Sequence, residues 1–140
     1  MMNLEVRNIM NANPDVAGPD QSVTDLSHHM LRNGRQQMPV VEDGKLLGMV
    51  TTYDLWKMYE NRTTLGNMKV RDVMNTKVIK IAPKDKVGTA AELFADKRFK
   101  TLPVVNKDND LKGTITAFDI IKVVFNEEYD HTILYKKEFE

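Results

Sequence analysis

The stretch Leu102-Pro-Val-Val-Asn-Lys-Asp-Asn-Asp-Leu-Lys-Gly-Thr-Ile-Thr-Ala-Phe-Asp119 decides the fold. Leu102 to Val105 is a short apolar run, and Asn106 to Asp110 is a polar turn. Leu111 to Thr116 alternates as a half-buried strand does, and Phe118-Asp119 opens a helix. An earlier stretch repeats it: Met38-Pro-Val-Val-Glu-Asp-Gly-Lys-Leu-Leu-Gly-Met-Val-Thr-Thr-Tyr-Asp54.

The duplication extends outward from these two copies. Val6-Arg-Asn-Ile-Met10 recurs as Val70-Arg-Asp-Val-Met74, and Pro19 and Val23 recur as Pro83 and Val87. Beyond the turn, Leu46, Gly48, Thr51, Asp54 and Lys57 match Leu111, Gly113, Thr116, Asp119 and Lys122, shifted by the one extra turn residue of the second copy. A unit of this length is too small to bury a generous core alone, and two units packed together solve that problem.

Each unit reads as strand, helix, strand, strand, helix after a short lead-in, an α/β (α+β) pattern. The first strand is expected at Val78 to Ile81 and, less regularly, at Asp15 to Ala17. In the first unit Ser22 caps the next helix with Asp25 as a capping-box partner, Val23, Leu26, Met30 and Leu31 form its apolar face, and Gly34 stops it. In the second, Asp85 is the expected cap, and Val87, Ala90, Ala91, Phe94 and Ala95 make the stripe. Leu55, Trp56, Met58 and Tyr59 belong to the closing helix of the first copy, and Ile120, Ile121, Val123, Val124 and Phe125 to that of the second. The expected division is 1–66 for the first unit, 67–126 for the second, and 127–140 for a tail, with both units forming one compact module. The tail, with Tyr129, Ile133, Leu134, Tyr135 and Phe139, reads either as an arm onto a partner subunit or as a frayed terminus.

Composition narrows the function. Twenty basic and twenty acidic residues cancel, leaving no global field to draw in nucleic acid or an anionic membrane. The absence of cysteine excludes disulfides, thiolate metal sites and a cysteine nucleophile. No apolar run approaches the roughly 18 residues of a membrane span, and the start lacks the regions of a signal peptide. A soluble cytoplasmic protein is the expectation.

Catalytic motifs are missing. There is no phosphate-binding loop or dinucleotide fingerprint, and no Ser-His-Asp arrangement follows from spacing. His28 and His29 point about 100° apart on a helix, unlike an i, i+4 metal pair, and read as a solvated face within reach of an anion. His131 stands alone. The expectation is no catalytic residue, no metal and no catalytic cofactor. The repeated Gly-x-x-Thr-x-x-Asp is more informative. A hydroxyl at a strand end and a carboxylate at the following helix start can read a ribose and a phosphate, or can simply cap the helix. Lys97, Arg98 and Lys100 cluster before the second apolar-Pro-Val-Val strand, with Arg32 and Arg35 in the matching region of the first unit. Such a cationic rim suits a phosphate. No aromatic residues interleave with these bases, so stacking on single-stranded nucleic acid has little support.

These residues resemble a tandem pair of CBS domains, the module named after cystathionine β-synthase. The Val-Arg-Asp-Val-Met lead-in, the apolar-Pro-Val-Val strand and the Gly-apolar-apolar-Thr-x-x-Asp close are present twice, across nearly everything from Val6 to Phe125. The resemblance implies two units packed through their sheets as a pseudo-twofold pair, and two pairs joined as a homodimeric disc of four units. It also implies clefts that bind AMP, ADP, ATP or S-adenosylmethionine and signal to an effector protein. Carried over by position, Thr51 with Asp54 and Thr116 with Asp119 read ribose and phosphate. Val78, Ile79 and Lys80 border the base, Lys100 and Thr101 lie near the phosphates, and Leu102 and Pro103, with Met38 and Pro39 in the first copy, floor the base pocket. A freestanding regulatory pair follows, with a ligand-free dimerisation scaffold as the alternative and nucleic-acid binding behind both. The first unit departs from the pattern: Asp15 stands where the second has Ile79, and Gln36 and Gln37 precede Pro39 where a basic residue is expected. The first-unit half-site is therefore expected to be the weaker.

Overall fold

The computed structural model describes residues 2–61, 67–97 and 100–128, with the side chains of Lys97 and Glu128 left aside. The tail residues 129–140, the link residues 62–66 with Gly66, Arg98 and His131 lie outside the described residues.

A 3-10 turn, Val6–Asn8, leads into helix α1, Val23–Asn33. Strands β1, Gln37–Glu42, and β2, Lys45–Thr51, form a hairpin, and α2, Thr52–Glu60, follows at once. The second copy runs α3, Val70–Val73, α4, Val87–Lys97, β3, Thr101–Val105, β4, Leu111–Thr116, and α5, Ala117–Glu128. Both hairpins are antiparallel, with Gln37 opposite Thr51 and Thr101 opposite Thr116, and each has an irregularity inside its Pro-Val-Val segment. The first turn uses Asp43 and Gly44, both at positive φ, the conformation that a tight Asp-Gly hairpin requires.

The first strand of each unit is a single bridged residue. Ala17 pairs in parallel with Val40, and Ile81 with Val104. Ala17 donates its N–H to the Pro39 carbonyl and accepts from Val41, and Ile81 does the same between Pro103 and Val105. Pairing stops there because the residues before Ile81 turn outward, with Ile79 and Lys80 exposed. Three helix expectations also change. Leu31 is 83% exposed and Ala95 is exposed, so neither belongs to its core stripe. Asp85 does not cap α4; its carboxylate accepts from the Ala82 N–H at 2.7 Å, closing the preceding turn. Ser22 does cap α1, accepting from the Asp25 N–H, and Gly34 ends it in the left-handed conformation.

The two lead-ins are exchanged. Val6 is fully buried in the core of the second repeat, with Ile81, Val87, Phe94, Leu102 and Ile115. Val70 is fully buried in the core of the first, with Ala17, Val23, Leu26, Met38 and Val50. The hydrogen bonds are reciprocal. Val6 and Arg7 donate to the carbonyls of Asp85 and Pro83, while Val70 and Arg71 donate to those of Gln21 and Pro19. Asn11 bridges Thr114 at the edge of β4, and Asn75 bridges Met49 at the edge of β2. Each sheet is thus completed by a segment of the other repeat, and the contacts repeat under an approximate twofold. At the far end the turns meet: Leu46 donates to the Asn109 carbonyl, Leu111 donates to that of Gly44, and Lys45 pairs with Asp110 at 2.7 Å. Neither core closes without the other unit.

Candidate functional site

The Thr-x-x-Asp motif forms the same structure twice. Thr51 Oγ1 accepts the Asp54 N–H at 3.0 Å, and Asp54 Oδ2 accepts the Thr51 N–H at 3.1 Å. Thr116 Oγ1 accepts the Asp119 N–H at 3.2 Å, and Asp119 Oδ2 accepts the Thr116 N–H at 2.8 Å. Each pair is a reciprocal cap that satisfies two backbone donors where a strand turns directly into a helix. Capping occupies only one oxygen of each carboxylate. The other oxygen, Oδ1, makes no hydrogen bond among the described residues and is held in a fixed direction by the cap.

Thr116 and Asp119 line a cleft of about 790 Å³ between the repeats, within the roughly 300–1,000 Å³ typical of small-molecule sites. Its opposite wall comes from the first repeat, at Asn13 to Asp15 and Gly34 to Pro39, and Lys100, Thr101 and Phe118 close the second-repeat side. Met38, Pro39, Lys100, Thr101, Thr116 and Asp119 are therefore brought to one cavity. Thr51, Asp54, Val78, Ile79, Lys80, Leu102 and Pro103 do not line it. Leu102 and Pro103 are buried, and Lys80 donates to Asn109 Oδ1 at 2.9 Å on the turn of β3 and β4. Thr51, Asp54 and Ile79 occupy the repeat-related counterparts of Thr116, Asp119 and Asp15.

Lys100, Arg35 and Asp15 of the cleft are already partnered by side chains. Lys100 Nζ donates to Gln36 Oε1 at 2.7 Å, linking the segments that precede the two Pro-Val-Val strands. Arg35 Nε donates to Asp15 Oδ2 at 3.2 Å, and His29 Nε2 contacts the same oxygen at 2.5 Å. Burial pushes the Asp15 carboxyl up, but the hydrogen bonds and charges of His29 and Arg35 outweigh it and hold it below the usual carboxylate range. Asp15 is thus a carboxylate at neutral pH, and its charge is balanced locally. Nothing in the sequence links Asp15 to Arg35 or His29; the fold brings both to its carboxylate. Phe118, in the first turn of α5, is 65% exposed at the cleft edge. Among the described residues no group of three or more His, Cys, Asp or Glu is placed to hold a metal ion, and no helix is long and apolar enough to cross a membrane.

The CBS-domain family model matches residues 6–55 and again residues 70–126. The chain belongs to the CBS-domain family. The tandem CBS pair explains the duplicated hairpins and the cleft between them. CBSX2 of Arabidopsis thaliana, solved in complex with AMP, superposes with a TM-score of 0.81 at 25% identity, covering 89% of this chain and 98% of that one. The protein MJ1225 of Methanocaldococcus jannaschii is 30% identical over 118 residues, 76% of this chain and 42% of the relative. The inosine-5'-monophosphate dehydrogenase of Halalkalibacterium halodurans is 37% identical over 117 residues, 80% of this chain and 22% of the enzyme. The CBS pair here spans less than half the length of these two curated relatives.

Proposed function

We propose that this CBS pair is a regulatory, non-catalytic cytoplasmic module that binds an adenine nucleotide, AMP foremost, in the cleft lined by Thr116 and Asp119. The observation that carries the reading is the uncommitted Asp119 Oδ1, oriented by its cap and lining the cavity that also holds Lys100. A ribose presents two adjacent hydroxyl donors, and a carboxylate oxygen accepts them with the added strength of its charge. Lys100, beside Thr101, meets the phosphate by leaving Gln36, and Met38 and Pro39, though buried, line the floor of the cleft on the base side. The AMP complex of CBSX2 supports the choice of ligand. Thermal melting against AMP, ATP and S-adenosylmethionine tests it. A ligand at a hundredfold excess over its Kd adds about 2.7 kcal/mol to the folded state, and AMP is expected to give a clear rise in Tm. No shift with any of the three would favour the ligand-free scaffold, for which the capping role of both Thr-Asp pairs is the supporting observation.

The signal passes through assembly. Tyr53, Trp56 and Tyr59 of α2, and Phe118, Ile121 and Phe125 of α5, are exposed at helical spacing. Surfaces of this kind serve association more often than solvation. We infer a homodimer with four CBS units in a disc, held through these helices, whose packing changes with ligand and is read by an effector protein. Sedimentation of Trp56→Glu and Ile121→Glu variants checks this: a dimer is expected for the unaltered chain and a folded monomer for the variants. A monomer for the unaltered chain would contradict it.

A further inference from the structure

Asp15 occupies a position in the cleft wall where the second repeat carries an isoleucine. An apolar residue there would be the simpler way to border a base. The chain instead maintains a carboxylate and builds a support for it. Asn33 Nδ2 donates to the His29 backbone carbonyl at 2.8 Å and contacts His29 Nδ1 at 3.3 Å. His29 meets Asp15 through Nε2, which donates to the carboxylate when it carries the proton. Arg35 adds a second donor. Both donors engage Oδ2. Oδ1 makes no hydrogen bond among the described residues, and it is not fully buried.

Three residues on two segments thus fix one carboxylate with one oxygen tied back and one free. That arrangement is a single, charged, directed acceptor. Met38 and Pro39, both buried, line the same cleft as Asp15, so a purine ring held in that cleft can turn an edge to Asp15. Resting on the proposed nucleotide site, we infer that Asp15 Oδ1 is the specificity-determining acceptor for the exocyclic 6-amino group of the bound purine, and that it turns away purines with a 6-oxo group. A carboxylate oxygen receives an amino N–H. Against a 6-oxo group it meets only another acceptor, and the mismatch leaves both desolvated without a partner. The Arg35 and His29 contacts let the carboxylate remain charged without repelling the phosphate, which Lys100 receives on the other side of the ribose.

AMP and inosine 5'-monophosphate differ at the 6-position and share ribose and phosphate, so their affinity ratio isolates this contact. Isothermal titration of both into the unaltered chain, Asp15→Ala and Asp15→Asn decides the matter. The unaltered chain is expected to prefer AMP by about tenfold or more, the discrimination expected of one charged hydrogen bond. Asp15→Ala is expected to bring the ratio toward unity. Asp15→Asn keeps an oxygen for His29 and Arg35 and turns an amide donor toward the ligand, so the ratio is expected to move toward the 6-oxo nucleotide. If AMP binds and the ratio is the same in all three proteins, Asp15 only shapes the wall and the inference is overturned while the nucleotide site stands. If neither nucleotide binds the unaltered chain, both fall.

Discussion

Gly113→Ala is expected to destabilise the CBS pair by about 3 kcal/mol. A Cβ at Gly113 would lie 2.5 Å from the carbonyl oxygen of Asn11 and 2.9 Å from Met10 Sδ. Carbon–oxygen contacts rarely close below about 3.3 Å, so the backbone of Asn11 must withdraw. That backbone is the bridge to β4, with Asn11 N–H to Thr114 O at 2.8 Å and Thr114 N–H to Asn11 O at 3.0 Å. Its withdrawal pulls on Val6, which is fully buried in the second core. One methyl group therefore acts on the joint between the two units. The repeat predicts the same at Gly48, where a Cβ would lie 2.6 Å from the carbonyl oxygen of Asn75. Gly18 has nothing within 4 Å of its Cβ position and serves as the control. Urea unfolding of the three alanine variants is the measurement. Losses at positions 48 and 113 with none at 18 are expected. Equal stability of all three would mean that the exchanged lead-ins do not hold the pair together.

These glycines also show why some of the structure was legible in sequence and some was not. Hairpins and helices were readable because period-two runs, turn residues and caps act within a few residues: Pro39 to Asp54 and Pro103 to Asp119 needed no partner to be interpreted. The exchange of lead-ins was hidden by the repeat itself. Val6-Arg-Asn-Ile-Met10 and Val70-Arg-Asp-Val-Met74 are nearly interchangeable, so nothing local says which core each one fills. The cleft inherits that ambiguity. The resemblance implies clefts that draw on both units but sets Val78 to Lys80 beside Thr116 and Asp119, whereas the cavity sets Thr116 and Asp119 against Asn13 to Asp15 and Gly34 to Pro39 of the other repeat. Apolar periodicity likewise cannot separate a core face from an assembly face. Leu26 and Leu31 belong to one apolar pattern, yet one is fully buried and the other is among the most exposed residues of α1. Asp85 was misread for a related reason: an aspartate two residues before a helix can close the preceding turn as readily as it can cap.

The second large effect is expected at Asp119. Its carboxylate has two duties that one substitution can separate. Oδ2 accepts the Thr116 N–H, and removing it costs a cap, typically about 1 kcal/mol of stability. Oδ1 is left for the ligand. Asp119→Asn keeps a carbonyl oxygen for the cap and replaces the charged acceptor by an amide that presents hydrogens to a ribose hydroxyl. A charged hydrogen bond is worth about 1.5–3 kcal/mol, so the expected loss is roughly 10- to 150-fold in AMP affinity with little change in melting temperature. Asp54→Asn is a matched comparison, because Asp54 makes the same cap but does not line the cleft.

Calorimetric titration of AMP into the unaltered chain, Asp54→Asn and Asp119→Asn tests the central claim most directly. The cleft lined by Asp119 and faced by the first repeat predicts a loss of one to two orders of magnitude for Asp119→Asn and at most a threefold change, roughly 0.6 kcal/mol, for Asp54→Asn. Equal losses in the two variants, or undiminished binding by Asp119→Asn, would contradict it.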